Sequence, residues 1–242
     1  MEKKQNSGTR LNKYIANAGI CSRREADKLI AAGEIKVNGE VLKEMGYKVA
    51  RKDKVEYKGK VIQGEYKVYV LLNKPKGFIC TVSDDRGRKT VMDLVGNATD
   101  ERIYPVGRLD RNTTGLLLFT NDGELTEKLT HPKYEVKKIY HAILDKDLKS
   151  QDLAALRQGF ELEDGDIKAD QANYVDGQGK NEIGLEIHSG RNRIVRRMFE
   201  HLGYEVTKLD RVLFASLTKK DLPRGQWRHL HPDEVRMLKN FI

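Results

Sequence analysis

The chain has 242 residues, room for one medium domain and one small module, with 38% hydrophobic and 33% charged residues. No apolar run approaches the roughly 20 residues that cross a bilayer, and the first ten residues lack a signal peptide's apolar centre, so neither membrane insertion nor secretion is expected. The net charge of +9 is uneven: residues 1–66 carry 15 basic and 9 acidic side chains, or +6, against 30 and 27, or +3, in the remaining 176. A basic N-terminal arm of this kind suits a polyanion. Two cysteines, Cys21 and Cys80, are too few for a disulfide framework or a thiolate metal cage, which fits a reducing cytoplasm.

Leu11, Tyr14, Ile15 and Ala18 recur at helical spacing, and Gly19 supplies a left-handed stop. Ser22-Arg23-Arg24-Glu25 reads as a capping box opening a second helix, whose apolar face of Ala26, Leu29 and Ile30 runs to Gly33. Ile35-Lys36-Val37 alternates into Asn38-Gly39, the signal of a type I′ hairpin. Strand-like Glu40-Val41-Leu42, Tyr47-Lys48-Val49 and Lys54-Val55-Glu56 follow. The expected order is a helix-helix-sheet module at 9–56, a lysine- and glycine-rich linker at 57–66 and a larger domain at 67–242. Arg23 and Arg24 fall in the first turn of the second helix, with Lys28 one turn on. Free amides and the positive dipole end already favour phosphate there, so all three are candidates for gripping an RNA backbone.

In the larger domain, strands are expected at 68–72, 77–82, 103–106, 116–120, 138–144, 167–174, 183–187 and 206–213. Helices are expected at 124–130, 152–159 and 191–202. Many strands with few interleaved helices argue for an α+β fold with a mixed or antiparallel sheet. Trp227 reads as core. The acidic stretch 161–166 reads as a hairpin turn and 83–88 as a plain polar connection. His229 and His231 lack a third ligand, so no metal site is expected.

Two segments carry the candidate chemistry. Gly107-Arg108-Leu109-Asp110-Arg111-Asn112-Thr113-Thr114-Gly115 is a polar loop wedged before the apolar run Leu116-Leu117-Leu118-Phe119. An aspartate flanked by arginines stays ionised, so Asp110 is a candidate nucleophile or base; capping the loop is the plainer reading. Gly190-Arg191-Asn192-Arg193-Ile194-Val195-Arg196-Arg197-Met198-Phe199 opens a helix with Ile194, Val195, Met198, Phe199 and Leu202 on one face. Arginines beside a helix N-terminus call for an anion, either a carboxylate or an RNA phosphate, so Arg191, Arg193 and Arg197 are further RNA-binding candidates.

Residues 10–42 resemble the S4-like RNA-binding domain, in Arg10-Leu11-Asn12-Lys13-Tyr14-Ile15, Cys21-Ser22-Arg23-Arg24-Glu25-Ala26 and Gly33-Glu34-Ile35-Lys36-Val37-Asn38-Gly39. Lys74-Pro75, the loop around Asp110, Asn121-Asp122-Gly123, Lys138-Ile139-Tyr140 and the 190–198 segment resemble the pseudouridine synthases of the RsuA/RluB type, closest to the large-subunit ribosomal RNA enzymes. That resemblance implies isomerisation of uridine in ribosomal RNA, with Asp110 as the essential carboxylate and Arg108 helping to displace the base from its stack. It implies that Tyr140 stacks on the uracil, that Arg196 pairs with Asp110 and that Val195 forms an apolar wall. It further implies ribosomal RNA as partner and no cofactor, and a cytoplasmic monomer is expected. Small-subunit RNA as target, or a non-catalytic RNA-holding factor, are the alternatives.

Overall fold

The computed structural model describes residues 8–50, 52–62 and 66–240. The chain divides into two compact units, Met1–Lys67 and Val68–Ile242.

The first unit contains β1 (Thr9–Arg10), α1 (Leu11–Asn17), α2 (Arg23–Ala31), β2 (Ile35–Val37), β3 (Glu40–Val41), β4 (Lys48–Val49), β5 (Val55–Tyr57) and β6 (Lys60–Val61). A four-stranded sheet runs β3-β2-β5-β6, while β1 pairs with β4. The capping box forms as read: Ser22 Oγ accepts from the Glu25 amide at 3.2 Å, and a Glu25 carboxylate oxygen accepts from the Ser22 amide at 2.8 Å. Asn38 and Gly39 both take positive φ, 55° and 88°, which a type I′ turn requires and glycine adopts without strain. Leu11, Ile15, Ala26, Ile30, Ile35, Val37, Val49 and Val55 form the core, each at most 6% exposed. Residues 57–62, expected as linker, instead complete this sheet. Tyr57 pairs with Lys60, and Ile62 is buried with its amide bonded to the Val55 carbonyl, so the apolar stripe outlasts the lysine-rich composition.

The second unit contains β7 (Tyr69–Lys74), α3 (Met92–Val95), β8 (Tyr104–Pro105), β9 (Thr114–Thr120), α4 (Gly123–Thr130), a 3-10 turn at Pro132–Tyr134 and β10 (Lys138–Leu144). There follow α5 (Ser150–Gln158), β11 (Phe160–Leu162), β12 (Gly165–Ile167), β13 (Gln171–Tyr174), β14 (Glu182–Ile187), α6 (Ile194–His201), β15 (Val206–Phe214), β16 (Leu217–Thr218), β17 (Trp227–His229) and α7 (Pro232–Asn240). The main sheet runs β13-β14-β10-β15-β9-β7-β17. Its β15–β9 pair is parallel and the rest of that path is antiparallel, so the sheet is mixed and the fold α+β. β7 and β9 are buried on both faces. Val70, Leu72, Leu117 and Phe119 face a core shared with α6. Leu71, Leu116 and Leu118 face a second core shared with α4 and α7. In β10 the alternation leaves Tyr140, Ala142 and Leu144 buried on the α6 side.

Three expectations need correction. Residues 77–82 make an isolated bridge, Ile79 to Thr90, in place of a strand; the amides of Gly77 and Ile79 are held by the Arg111 and Lys89 carbonyls. The stretch 167–174 breaks into β12 and β13, because the Ala169 amide bonds the Leu156 carbonyl. The helix expected from Arg191 starts at Ile194, with Arg193 in the left-handed region at φ 47°.

At the parallel joint, Thr114 and Gly115 face Asp210 and Arg211. Gly115 has φ 107°, and a Cβ there would overlap the Arg211 backbone. Gly115→Ala is therefore expected to cost at least about 3 kcal/mol. A melting temperature lowered by roughly 10 °C would show it; an unchanged melting temperature would mean that the strands can part without penalty.

Candidate active site

Loop 107–113 hangs between β8 and β9 and is fixed mainly by its backbone. Lys74, at the end of β7 and opposite Gly115, is fully buried. Its ammonium donates to the carbonyls of Thr113 at 2.9 Å, Asp110 at 3.1 Å, Pro75 at 3.2 Å and Arg111 at 3.3 Å. No carboxylate pairs with it among the described residues, so carbonyl dipoles serve as its counter-charge. Burial lowers its pKa, with Cys80 and then Asp110 acting the other way. The Leu109 amide donates to Cys80 Sγ at 3.3 Å, and burial pushes that thiol's pKa up. Gly77 and Arg111 complete the clamp, the Gly77 amide donating to the Arg111 carbonyl at 2.9 Å and Arg111 Nε returning to the Gly77 carbonyl at 3.3 Å. The peptide units on both sides of Asp110 are thus anchored while its carboxylate stays unpaired.

The loop lines a cleft of about 490 Å³, a volume suited to a nucleoside. Arg108 and Asp110 come from the loop, Tyr140 and Lys138 from β10, Leu209 and Arg211 from β15, and Ile194 and Val195 from the start of α6. Tyr140, 9% exposed, and Val195, 3% exposed, both line the cleft, while Arg108 is exposed. Asp110, Tyr140, Val195 and Arg108, proposed from separate stretches of sequence, therefore share one cavity.

Arg196 does not make the ion pair expected of it. Its guanidinium donates at 2.6 Å to the Val206 carbonyl, which draws it toward β15. Burial, then the nearby Arg193 charge, lower its pKa; Asp110 opposes that shift, so the two groups sense each other without contact.

The other arginines of the α6 segment find carboxylates in the protein. Asp164, in the turn between β11 and β12, pairs with Arg191 at 3.0 Å and with Arg197 at 2.6 Å, which lowers the aspartate's pKa. Arg191 also donates to the carbonyls of Asp164, Gly165 and Asp166. Arg193 pairs with Glu200 at 3.2 Å while remaining exposed. Of the two anions the sequence left open, the structure supplies carboxylates, and Arg191 and Arg197 act first as pins for the β11–β12 hairpin. In the first unit, Arg23, Arg24 and Lys28 stand exposed on α2.

Sequence reasoning assigned no role to three residues of the loop support and the cleft, Lys74, Arg211 and Lys138. Lys74 was noticed only as half of Lys74-Pro75, since nothing local marks a lysine for full burial. Arg211 sits mid-strand, 3% exposed, with Nε and Nη2 both donating to the Leu116 carbonyl. Lys138 donates to the carbonyls of Val136 and His188; burial first, then Arg211, lowers its pKa to about 8. Its spacing of two residues from Tyr140 on one strand face was the available signal. Among the described residues no group of three His, Cys, Asp or Glu is arranged to hold a metal ion, and no helix is long and apolar enough to cross a membrane.

The chain is similar to known proteins over nearly its whole length. The family model described as RNA pseudouridylate synthase matches residues 68–201, and the S4 domain model matches residues 9–55. The chain is 47% identical over 233 residues to ribosomal large subunit pseudouridine synthase B of Bacillus subtilis, covering 95% of each protein. It is 41% identical over 233 residues to an uncharacterised RNA pseudouridine synthase of Aquifex aeolicus, covering 95% of this chain and 93% of that one. A crystal structure of a pseudouridylate synthase superposes with a TM-score of 0.67 at 29% identity, covering 95% of this chain and 99% of that chain. Agreement over nearly the whole length, reached both by sequence and by fold, means that the chain belongs to the RNA pseudouridylate synthase family.

Proposed function

We propose that this protein isomerises one uridine of large-subunit ribosomal RNA to pseudouridine. The observation that carries the reading is the shared cleft, in which Asp110 faces into a cavity lined by Tyr140 and Val195 on a chain 47% identical to a large-subunit enzyme. The N1–C1′ glycosidic bond breaks, the uracil turns, C5 bonds to C1′, and the C5 proton is lost as N1 gains one. Atoms are conserved, so the reading takes the enzyme to work without cofactor or metal, as a cytoplasmic monomer.

Each residue has a separate task in this account. A uridine inside an RNA stack is out of reach, so it is turned out into the cleft at the cost of its stacking. Arg108, exposed at the loop, displaces it and holds the neighbouring backbone. Tyr140 offers an aromatic face to the uracil and Val195 closes the apolar side. Asp110 reaches the sugar and base as an anion; addition to C1′, addition to the ring and removal of a ribose proton all require that charge. Arg196, within electrostatic reach, supports the anion and is the side chain placed to turn from the Val206 carbonyl toward Asp110 once substrate fills the cleft. Arg23, Arg24 and Lys28 hold phosphates outside the cleft, and Arg193, exposed beside it, adds a further contact.

Carbodiimide mapping of ribosomal RNA from cells with and without the gene tests the reading. The expected result is one pseudouridine missing from the large-subunit RNA. A loss in small-subunit RNA would move the target, and an unchanged map would leave a protein that holds ribosomal RNA without modifying it.

A further inference from the structure

Two cations line the cleft, and no acid is paired with either among the described residues. Lys138 and Arg211 project from adjacent strands, β10 and β15, on the cleft side, and Tyr140 is the direct partner of Arg211 in that pairing. Neither forms an ion pair with a carboxylate among the described residues. The Arg211 guanidinium spends Nε and Nη2 on a single acceptor, the Leu116 carbonyl, at 2.9 and 2.7 Å, and lies over the Phe214 ring at 4.5 Å. Its Nη1 has no hydrogen-bond partner among the described residues. The Lys138 ammonium donates at 2.8 Å to the Val136 carbonyl and at 2.7 Å to the His188 carbonyl, leaving one of its three protons unused. The carboxylate that favours its charge, Asp170, is already paired with His188 at 3.0 Å.

Burying one cation without a counter-ion is costly, and placing two like charges together adds repulsion. An unliganded fold bears that cost where a ligand relieves it. Both residues line the cleft that also holds Asp110 and Tyr140, and a hydrogen bond from a cation to an anionic oxygen there is charge-assisted. Arg196 is engaged by the Val206 carbonyl and Arg108 is exposed on its loop, so neither is buried as this pair is.

We propose that Lys138 and Arg211 form an anion subsite that binds an anionic oxygen of the flipped uridine. This rests on the uridine-isomerase reading and deepens it. Two oxygens have the required chemistry: a phosphodiester oxygen beside the target nucleotide, and a uracil carbonyl oxygen that gains charge as the glycosidic bond breaks. Burial, then the neighbouring Arg211 charge, lowers the Lys138 pKa to about 8, in keeping with a partly buried cation that has no ion-pair partner among the described residues.

The test uses the full-length enzyme with an RNA fragment containing the mapped uridine, alongside the same RNA bearing a neutral methylphosphonate at the linkage next to that uridine. Lys138→Gln keeps a hydrogen-bond donor and removes the charge; Arg211→Gln does the same for its partner, and Lys138→Arg restores the charge. Lys138→Gln is expected to hold or raise the melting temperature while weakening kcat/KM about tenfold, with Lys138→Arg recovering most of the loss. If the phosphate occupies the subsite, the loss lies in KM and the methylphosphonate RNA shows no further loss with Lys138→Gln. If the uracil oxygen occupies it, the loss lies in kcat and persists in full on the methylphosphonate RNA. Values of kcat and KM within twofold of the wild type for both Gln variants would overturn the proposal, as would a loss that follows the melting temperature down and is not recovered by Lys138→Arg. Wild-type turnover of the unmodified RNA, and the dissociation constant of each protein for it, keep failure of the subsite distinct from failure of the isomerase reading.

Discussion

Asp110→Asn is expected to slow pseudouridine formation by about 10⁴-fold or more while RNA affinity stays within a few-fold. The substitution is close to isosteric, and nothing in the loop depends on the carboxylate for its shape. Lys74 holds the carbonyl of residue 110, Cys80 holds the amide of residue 109, and the Thr113 amide returns to the carbonyl of residue 110. The carboxylate itself makes no hydrogen bond or ion pair among the described residues, so its removal leaves no broken contact. What disappears is the negative charge, which an amide cannot supply. Single-turnover conversion of the target RNA by the variant, set beside its binding isotherm, checks both halves of the expectation. Conversion at the normal rate would show that another group carries the chemistry.

Lys74→Met is expected to be the most damaging substitution outside the reacting groups. Methionine matches the length of the lysine stem, but four carbonyls lose their shared donor, three of them in or beside the loop that carries Asp110. Unsatisfied buried acceptors cost about 1–3 kcal/mol each, and release of a buried charge offsets part of that. A net loss of about 3–5 kcal/mol, or roughly 10 °C in melting temperature, follows. Activity should fall beyond what unfolding explains, by about a hundredfold in protein still folded at low temperature, because a loop displaced by an ångström misplaces the carboxylate. Thermal melting together with assays well below the transition separates the two effects. A variant of normal stability and normal rate would mean that the carbonyls find other donors.

Much of the fold was legible because local chemistry and tertiary demand agree. Ser22 and Glu25 form the capping box they spell, Asn38-Gly39 takes the two positive φ angles it favours, and Tyr140, Ala142 and Leu144 bury the face their alternation predicts. The grouping of Asp110, Tyr140 and Val195 was legible only through the family resemblance, since they lie on different elements and no spacing rule joins them. Other features depend on partners far along the chain. Arg191 and Arg197 read as phosphate ligands until Asp164, 27 and 33 positions away, is brought beside them by the β11–β12 turn. Val206 occupies Arg196 through its backbone, and no side-chain pattern announces a carbonyl. Residues 77–82 had the composition of a strand, but their amides go to scattered carbonyls, Gly77 to Arg111 in loop 107–113 and Ile79 to Lys89, so no continuous ladder forms. In α7, Pro232-Asp233-Glu234 carried a readable start signal, proline and two acids in the first turn, that went unused.

The parallel seam between β9 and β15 sets an order of events during synthesis. Thr114 meets Asp210 across 96 positions of sequence, so the cleft cannot close until the ribosome has delivered both strands, and contacts of such long range form late. The apolar core of the basic head is supplied by residues up to Ile62 among the described residues, so the head is expected to fold while translation continues. A growing chain therefore acquires its adhesive end well before its chemistry. Fragments stalled short of residue 210 would retain the head without a completed cleft, and are expected to compete with the finished protein for the same RNA.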